Sequence, residues 1–176
     1  QIMDIREQLL LEHSKANTLK IATYIGNDKK RFEELLKLFF ADEYRTTQRA
    51  AMAISACFDL QPNLFEPYIP VLIENLTQKE ELHVAVKRNT VRFLQFCLIP
   101  EDYESILFDC CLSYLTDVEE TVAVKAFSMT VLYRICQKYP DLKQELIPVI
   151  EDNLAYSDKA GLQNRGKKIL KKLYQL

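Results

Sequence analysis

Apolar residues recur at helical spacing along nearly the whole chain, and short polar breaks cut the pattern into about ten segments. Ile5, Leu9 and Leu10 mark a short amphipathic helix from Asp4 to about Glu12, and Ser14 is placed to cap a second one with the stripe Leu19, Ala22 and Ile25. Gly26 closes that helix as a C-cap glycine does. Asp28 is the expected cap of a third helix, in which Phe32, Leu35, Leu36 and Phe39 follow i, i+3, i+4, i+7 spacing to about Ala41. Asp42 is the expected cap of its partner, which runs to about Asp59 and carries Ala50, Ala51, Ala53, Ile54 and Cys57. Small side chains there let two helices approach closely.

Gln61-Pro62-Asn63 breaks the pattern, and Asn63 with Glu66 forms the expected capping pair of a helix from Leu64 to Leu76. Pro67 falls in its first turn, whereas Pro70 falls deeper and predicts a bend. A partner helix follows over about Leu82–Leu98, then one begun by Pro100 that carries Ile106, Leu107, Cys110, Cys111 and Leu115. Asp117 with Glu120 is expected to open the next, ending near Tyr139. Pro140-Asp141 restarts the pattern, and the last helix spans about Lys159–Tyr174 on Leu162, Ile169, Leu170 and Leu173.

These segments repeat. Val84-Ala85-Val86-Lys87 returns as Val122-Ala123-Val124-Lys125, 38 residues on, and Leu94 answers Leu132. Ile69-Pro70-Val71-Leu72-Ile73-Glu74-Asn75-Leu76 returns with close matches at Ile147–Leu154, a displacement of 78, or twice 39. Cys57, Cys97 and Cys136 recur at intervals of 40 and 39 and predict one small buried position per unit. A period of this size marks stacked helix pairs, each burying its apolar face against a neighbour. Five pairs fit the 176 residues as one domain, 1–176.

Outer helices with an internal proline, followed by inner helices that open apolar then basic, resemble HEAT repeats over about Lys29–Leu173. The resemblance implies an all-α fold, a right-handed α-solenoid (an α-α superhelix), and leaves function open; a small protein-binding scaffold is the function expected. The resemblance also implies a ladder of acidic and basic residues between repeats, with Asp42–Arg49, Glu80–Lys87 and Asp158–Arg165 as candidates. Lys125 has Val118 at the corresponding offset, so the ladder is imperfect there.

Composition agrees with helices, since three Gly and six Pro are few for a fold rich in tight turns. Five cysteines, an odd number, predict reduced thiols and a cytoplasmic setting. No apolar run approaches the roughly 18 residues of a membrane span. No charged-then-apolar segment leads to a cleavage site, and the start at Gln1 leaves open what precedes it.

Net charge is only −2, yet it alternates between helices. Residues 64–81, 100–118 and 141–157 carry −3, −5 and −3, and their partners at 82–99, 119–139 and 158–176 carry +3, +1 and +5. If the second helix of each pair lines the concave side, as in the family resembled, that side is electropositive and steers an anionic partner. Arg49, Lys87, Arg88, Arg92, Lys125 and Arg165 are the candidate binding residues, for an acidic protein segment or another anion. Arg88 and Arg92 lie one helical turn apart on one stripe. Ladder residues equally serve to join neighbouring repeats, and Lys167, Lys168, Lys171 and Lys172 either solvate a terminal capping helix or extend the basic surface.

No catalytic, metal or cofactor motif emerges, so a non-enzymatic protein is expected. Gly161-Leu162-Gln163-Asn164-Arg165-Gly166-Lys167-Lys168 nearly spells a phosphate-cradling loop, but Lys168 replaces its Ser or Thr and no strand precedes it. His13 and His83 lack partners at metal-ligand spacing. The alternative is nucleic-acid binding, by likeness of architecture to the HEAT-like DNA alkylation-repair glycosylases. Those present concave tryptophans and this chain has no Trp, while Phe93, Phe96 and Phe127 fit a buried stripe.

Overall fold

A computed structural model describes residues 2–78 and 80–176, and among them the regular structure is helical throughout. Its helices are α1 (Ile5–Leu11), α2 (Lys15–Ile25), α3 (Lys29–Phe39), α4 (Tyr44–Leu60), α5 (Pro62–Phe65), α6 (Ile69–Gln78), α7 (Val84–Leu94), α8 (Glu101–Thr116), α9 (Val122–Lys138), α10 (Lys143–Tyr156) and α11 (Ala160–Leu173). Short 3₁₀ turns occupy Glu66–Tyr68 and Pro140–Leu142. The chain divides into two compact units, Gln1–Leu72 with Lys79–Asn89 and Ile73–Gln78 with Thr90–Leu176.

Within the first unit α1 packs on α2, α3 and α4, while α4 packs on both α2 and α3. Within the second, α8 packs on α9, α10 on α11, and like members of successive pairs meet as α8 on α10 and α9 on α11. This two-layer order buries the expected residues. Phe32, Leu35, Leu36 and Phe39 line one core, and Leu94, Leu107, Leu115, Leu132, Ile150, Leu162 and Ile169 belong to the other. Cys57, Cys97 and Cys136 are all buried, as one repeated small position requires.

Several local expectations need correction. Ser14 and Asp28 cap α2 and α3 through their side chains, but Asp42 takes a left-handed backbone (φ 58°) and leaves Glu43 as the N-cap of α4. An aspartate tolerates that conformation because its short polar side chain can bond locally. Asn63 caps nothing, because α5 starts at Pro62, and the expected single helix 64–76 passes through α5 and a 3₁₀ turn before α6. Asp117 and Glu120 do not open α9: Asp117 is the C-cap of α8, and Thr121 caps α9 by accepting from the Val124 amide. Pro100 is the N-cap of α8 rather than part of its first turn. Leu19, Ile106 and Phe96 are exposed, and in α2 the stripe is completed by Ile21 instead.

Candidate functional site

The basic residues sit on the helices expected of them, and the structure assigns most of them local partners. In the first unit Arg49 on α4 donates from Nη1 to the Leu9 carbonyl at 2.9 Å, across to α1. Arg88 on α7 donates to Gln48 Oε1 on α4 at 2.8 Å, and Asn89 Nδ2 donates to the same oxygen at 3.0 Å. Lys87 is half-buried beside them on α7. In the second unit Arg165 on α11 donates from Nη1 to Gln95 Oε1 (2.7 Å), Thr130 Oγ1 (2.7 Å) and the Ala126 carbonyl (3.2 Å). Arg134 on α9 donates to the carbonyls of Gln95 and Cys97 at 2.8 and 2.7 Å.

Two of the ladder pairs implied by the resemblance are therefore replaced. Arg49 and Arg165 reach neutral oxygens of neighbouring helices instead of Asp42 and Asp158. The physical reason lies in where the acids fall: Asp42 and Asp158 are exposed, where an ion pair contributes little, while the guanidinium forks satisfy buried or half-buried acceptors.

Gln95 emerges as the hub of the second unit, and sequence reasoning missed it. It is buried, donates from Nε2 to the Arg92 carbonyl at 3.1 Å, and accepts from Arg165. No periodicity marks it, since its role depends on arginines 39 and 70 residues away.

At about 100° per residue, Phe127, Thr130, Tyr133, Arg134 and Gln137 fall on one side of α9, the side that is not buried. Arg165 lies over this face with its guanidinium carbon 6.0 Å from the Phe127 ring, and Lys172 lies with Nζ 5.5 Å from the Tyr133 ring. Cations over half-buried rings keep their charge accessible while covering apolar surface. Arg92, half-buried on α7, is tied to the same cluster through the Gln95 bond to its carbonyl. Among the described residues every hydrogen bond that Arg165 makes runs through Nη1, and Nε and Nη2 make none.

Lys125 is separate. It projects from the first turn of α9 on the side away from Phe127, into a cavity shared with α8, α10 and α11. The structure thus links Arg165 through Gln95 to the backbone of Arg92, joins Arg88 and Asn89 on Gln48, and places Lys125 in a separate cavity.

A second set of interactions recurs along the chain unannounced by the resemblance. Tyr68 donates to Glu33 (2.9 Å), Tyr103 to Glu74 (2.5 Å), Tyr139 to Glu104 (3.0 Å) and Tyr174 to Glu151. Each tyrosine stands at or just before the start of a pair's first helix, or beyond α11, and each glutamate lies on an earlier helix. The signal was present, because these tyrosines are spaced 35, 36 and 35 residues apart. Three of these phenols are raised: burial and Glu33 push Tyr68 up to about 12, and the hydrogen bonds to Glu74 and Glu151 raise Tyr103 and Tyr174. Glu104 is buried and also accepts from Lys138 at 2.9 Å, a bond that raises the lysine.

Three of the thiols are held in their unreactive form. Burial pushes Cys57 up to about 12 and Cys136 up to about 11, and raises Cys111 further, which suppresses the nucleophilic thiolate. Gly161–Lys168 lies wholly within α11, so its amides serve the helix rather than a phosphate cradle. His83 accepts from the Ala85 amide at 3.2 Å and acts as a helix cap. Among the described residues no group of His, Cys, Asp and Glu is arranged to hold a metal ion, and no helix is long and apolar enough to cross a membrane.

Helix pairs in two layers, repeating at about 39 residues with bridging side chains between like helices, define the α-solenoid class of repeat folds. The chain belongs to the HEAT repeat family: the model of the HEAT repeat domain matches residues 5–173. Searches of curated proteins and of solved structures gave no match. HEAT repeats serve generally as protein-interaction scaffolds, and the family is typically non-enzymatic.

Proposed function

We propose that residues 1–176 act as one non-enzymatic interaction module in the cytoplasm that binds an acidic segment of a partner protein. In the second unit the contact surface is the exposed face of α9 with the adjoining parts of α7 and α11, and Arg92, Arg165 and Lys172 lead it. In the first unit Arg49, Lys87 and Arg88 are the corresponding contacts. The observation that carries this reading is Arg165: three oxygens fix one nitrogen of its guanidinium, and two nitrogens remain to meet a carboxylate. A fork held in place loses little entropy when it binds a planar anion. The thiol state of all five cysteines supports the cytoplasmic setting.

Nucleic acid is the second reading, favoured by the half-buried Phe127 and Tyr133 interleaved with cations on the same face. A sequence pI of about 5.8 weighs against it. Fluorescence anisotropy with a labelled Glu-rich peptide and with duplex DNA separates the two. Peptide binding weakened at least about tenfold by Arg92→Glu with Lys172→Glu, a loss of about 1.4 kcal/mol, supports the protein reading; unchanged affinity at low salt removes it. DNA affinity falling with salt at about −0.9 in log K per contacted phosphate selects the alternative.

A further inference from the structure

The second unit holds a cavity of about 540 Å³ where the turn between α8 and α9 meets the end of α10 and the start of α11. That volume lies within the range of ligand sites, roughly 300 to 1,000 Å³. Leu115, Val122, Val149 and Leu162 form an apolar floor. On the rim stand Val118 and Tyr156, which are 88% and 89% exposed. Two large apolar side chains held in water beside an apolar hollow are the mark of a surface that excludes water on binding.

The walls are fixed by contacts that leave them little freedom. Asn153 Nδ2 donates to the Leu115 carbonyl at 2.9 Å, joining α10 to the end of α8. Gln163 Nε2 donates to the carbonyls of Leu154 and Ser157 at 2.7 and 2.6 Å, pinning the end of α10 to α11. Gly166 lets α10 and α11 close up, since a Cβ there would come within 2.6 Å of Leu154 Cδ2. At the other side Gly161 lies against Val122, whose Cγ1 would be 3.5 Å from an added Cβ. A hollow framed this way is preorganised, so an occupant does not have to order it.

Its charge selects the occupant. Lys125 and Lys159 line the cavity, and neither forms an ion pair among the described residues. Lys125 is half-buried, so its ammonium gains more from an anion than a fully solvated one does. Two acids share the lining: Glu120 accepts from the Thr121 amide at 3.0 Å, and Asp152 is exposed on α10. Water screens the exposed Asp152 and Lys159 alike, whereas Lys125 is half-buried against the apolar lining and the half-buried Glu120 is held by the Thr121 amide.

We propose that this cavity is a second docking site, taking one or two bulky apolar side chains of a partner peptide whose neighbouring carboxylate pairs with Lys125 and Lys159. The site lies on the opposite side of α9 from Phe127 and stands apart from the reading given to Arg165. It names a partner motif, a leucine or aromatic residue flanked by Asp or Glu.

Two labelled acidic peptides test it on the full chain, one with Leu-Phe at its centre and one with Ser-Ser. The Leu-Phe peptide is expected to bind at least about tenfold more tightly, and Val118→Ser with Tyr156→Ala to abolish that preference. Lys125→Gln is expected to weaken the Leu-Phe peptide several-fold. Both rim side chains are exposed, and circular dichroism checks that the fold persists in the variants. Equal affinity for the two peptides, no binding of the Leu-Phe peptide, or a preference that survives the double rim variant overturns the proposal. Arg92→Glu with Lys172→Glu tests the other face separately, since it leaves the ratio between the two peptides unchanged here.

Discussion

Ile69–Leu76 and Ile147–Leu154 share most of their letters, yet the chain treats them differently. In the first copy the helix begins at Ile69, so Pro70 is its second residue and costs no hydrogen bond. In the second copy α10 begins at Lys143, and Pro148 lies inside the helix. The difference traces to the residues just upstream, where Pro67 stands in the first copy and Glu145 in the second. Two prolines three residues apart replace α-helical bonding with a 3₁₀ turn, whereas a glutamate allows the helix to start earlier. The polar position diverges as well. Asn153 Nδ2 bonds the carbonyls of Leu115 and Val149, while Asn75 Nδ2 is buried with no hydrogen-bond partner among the described residues. The shared segment therefore fixes one position buried in both copies, Leu72 and Ile150, and neighbours outside the segment decide the proline's effect and the asparagine's partner.

The largest effects should be the same in both copies. Leu72 and Ile150 occupy matching, fully buried positions. Replacing either with Ala is expected to cost about 2 to 5 kcal/mol in urea unfolding; a loss below about 0.5 kcal/mol in one copy would mean that its packing register differs. The asparagines should then separate the copies. Asn153→Ala removes two bonds and strands the Leu115 carbonyl, and is expected to cost about 1 to 3 kcal/mol. Asn75→Ala removes an unsatisfied donor and is expected to be near neutral; comparable losses at both positions would erase the distinction.

Alkaline pH probes the tyrosine contacts on the same helices. A phenol whose folded pKa is raised contributes stability in full below its unfolded value of about 10, and loses it as pH climbs through the folded value. For Tyr68 that window ends at about 12. Stability measured by denaturant midpoint should hold up to about pH 10 and fall above it, and Tyr68→Phe should flatten the decline. A decline unchanged by that substitution would assign it elsewhere. The smallest effect concerns the proline context: Glu145→Pro transplants the first copy's upstream residue into the first turn of α10, and should cost below about 1 kcal/mol while shifting helical signal toward 3₁₀. A loss of several kcal/mol would show that the second copy cannot adopt the first copy's path.

The architecture was legible because periodicity records which side of each helix is buried, and Leu94, Leu132 and the three spaced cysteines lie where the 39-residue period put them. Caps were legible where one residue decides them, as at Ser14 and Asp28, and illegible where two acids competed for a turn, as at Asp42 and Glu43. Site chemistry was legible only in part. The basic positions could be located by helix, but Gln48, Gln95 and Thr130 are neutral, so nothing in a charge pattern reveals that they hold Arg88 and Arg165. Lys125 shares a tetrapeptide with Lys87, yet its surroundings depend on the turn at Val118 and on α10 and α11, which the tetrapeptide does not encode.

One measurement bears most directly on the proposed function: amide and side-chain NMR shifts of the isotope-labelled protein during titration with a Glu-rich peptide that lacks bulky apolar residues. The expected result is a set of perturbations on Arg92, Phe127, Thr130, Tyr133, Arg134 and Arg165, with the outward sides of α8 and α10 undisturbed. Perturbations concentrated on α8 and α10, or none at any peptide concentration, would contradict the assignment of the α9 and α11 face as the binding surface.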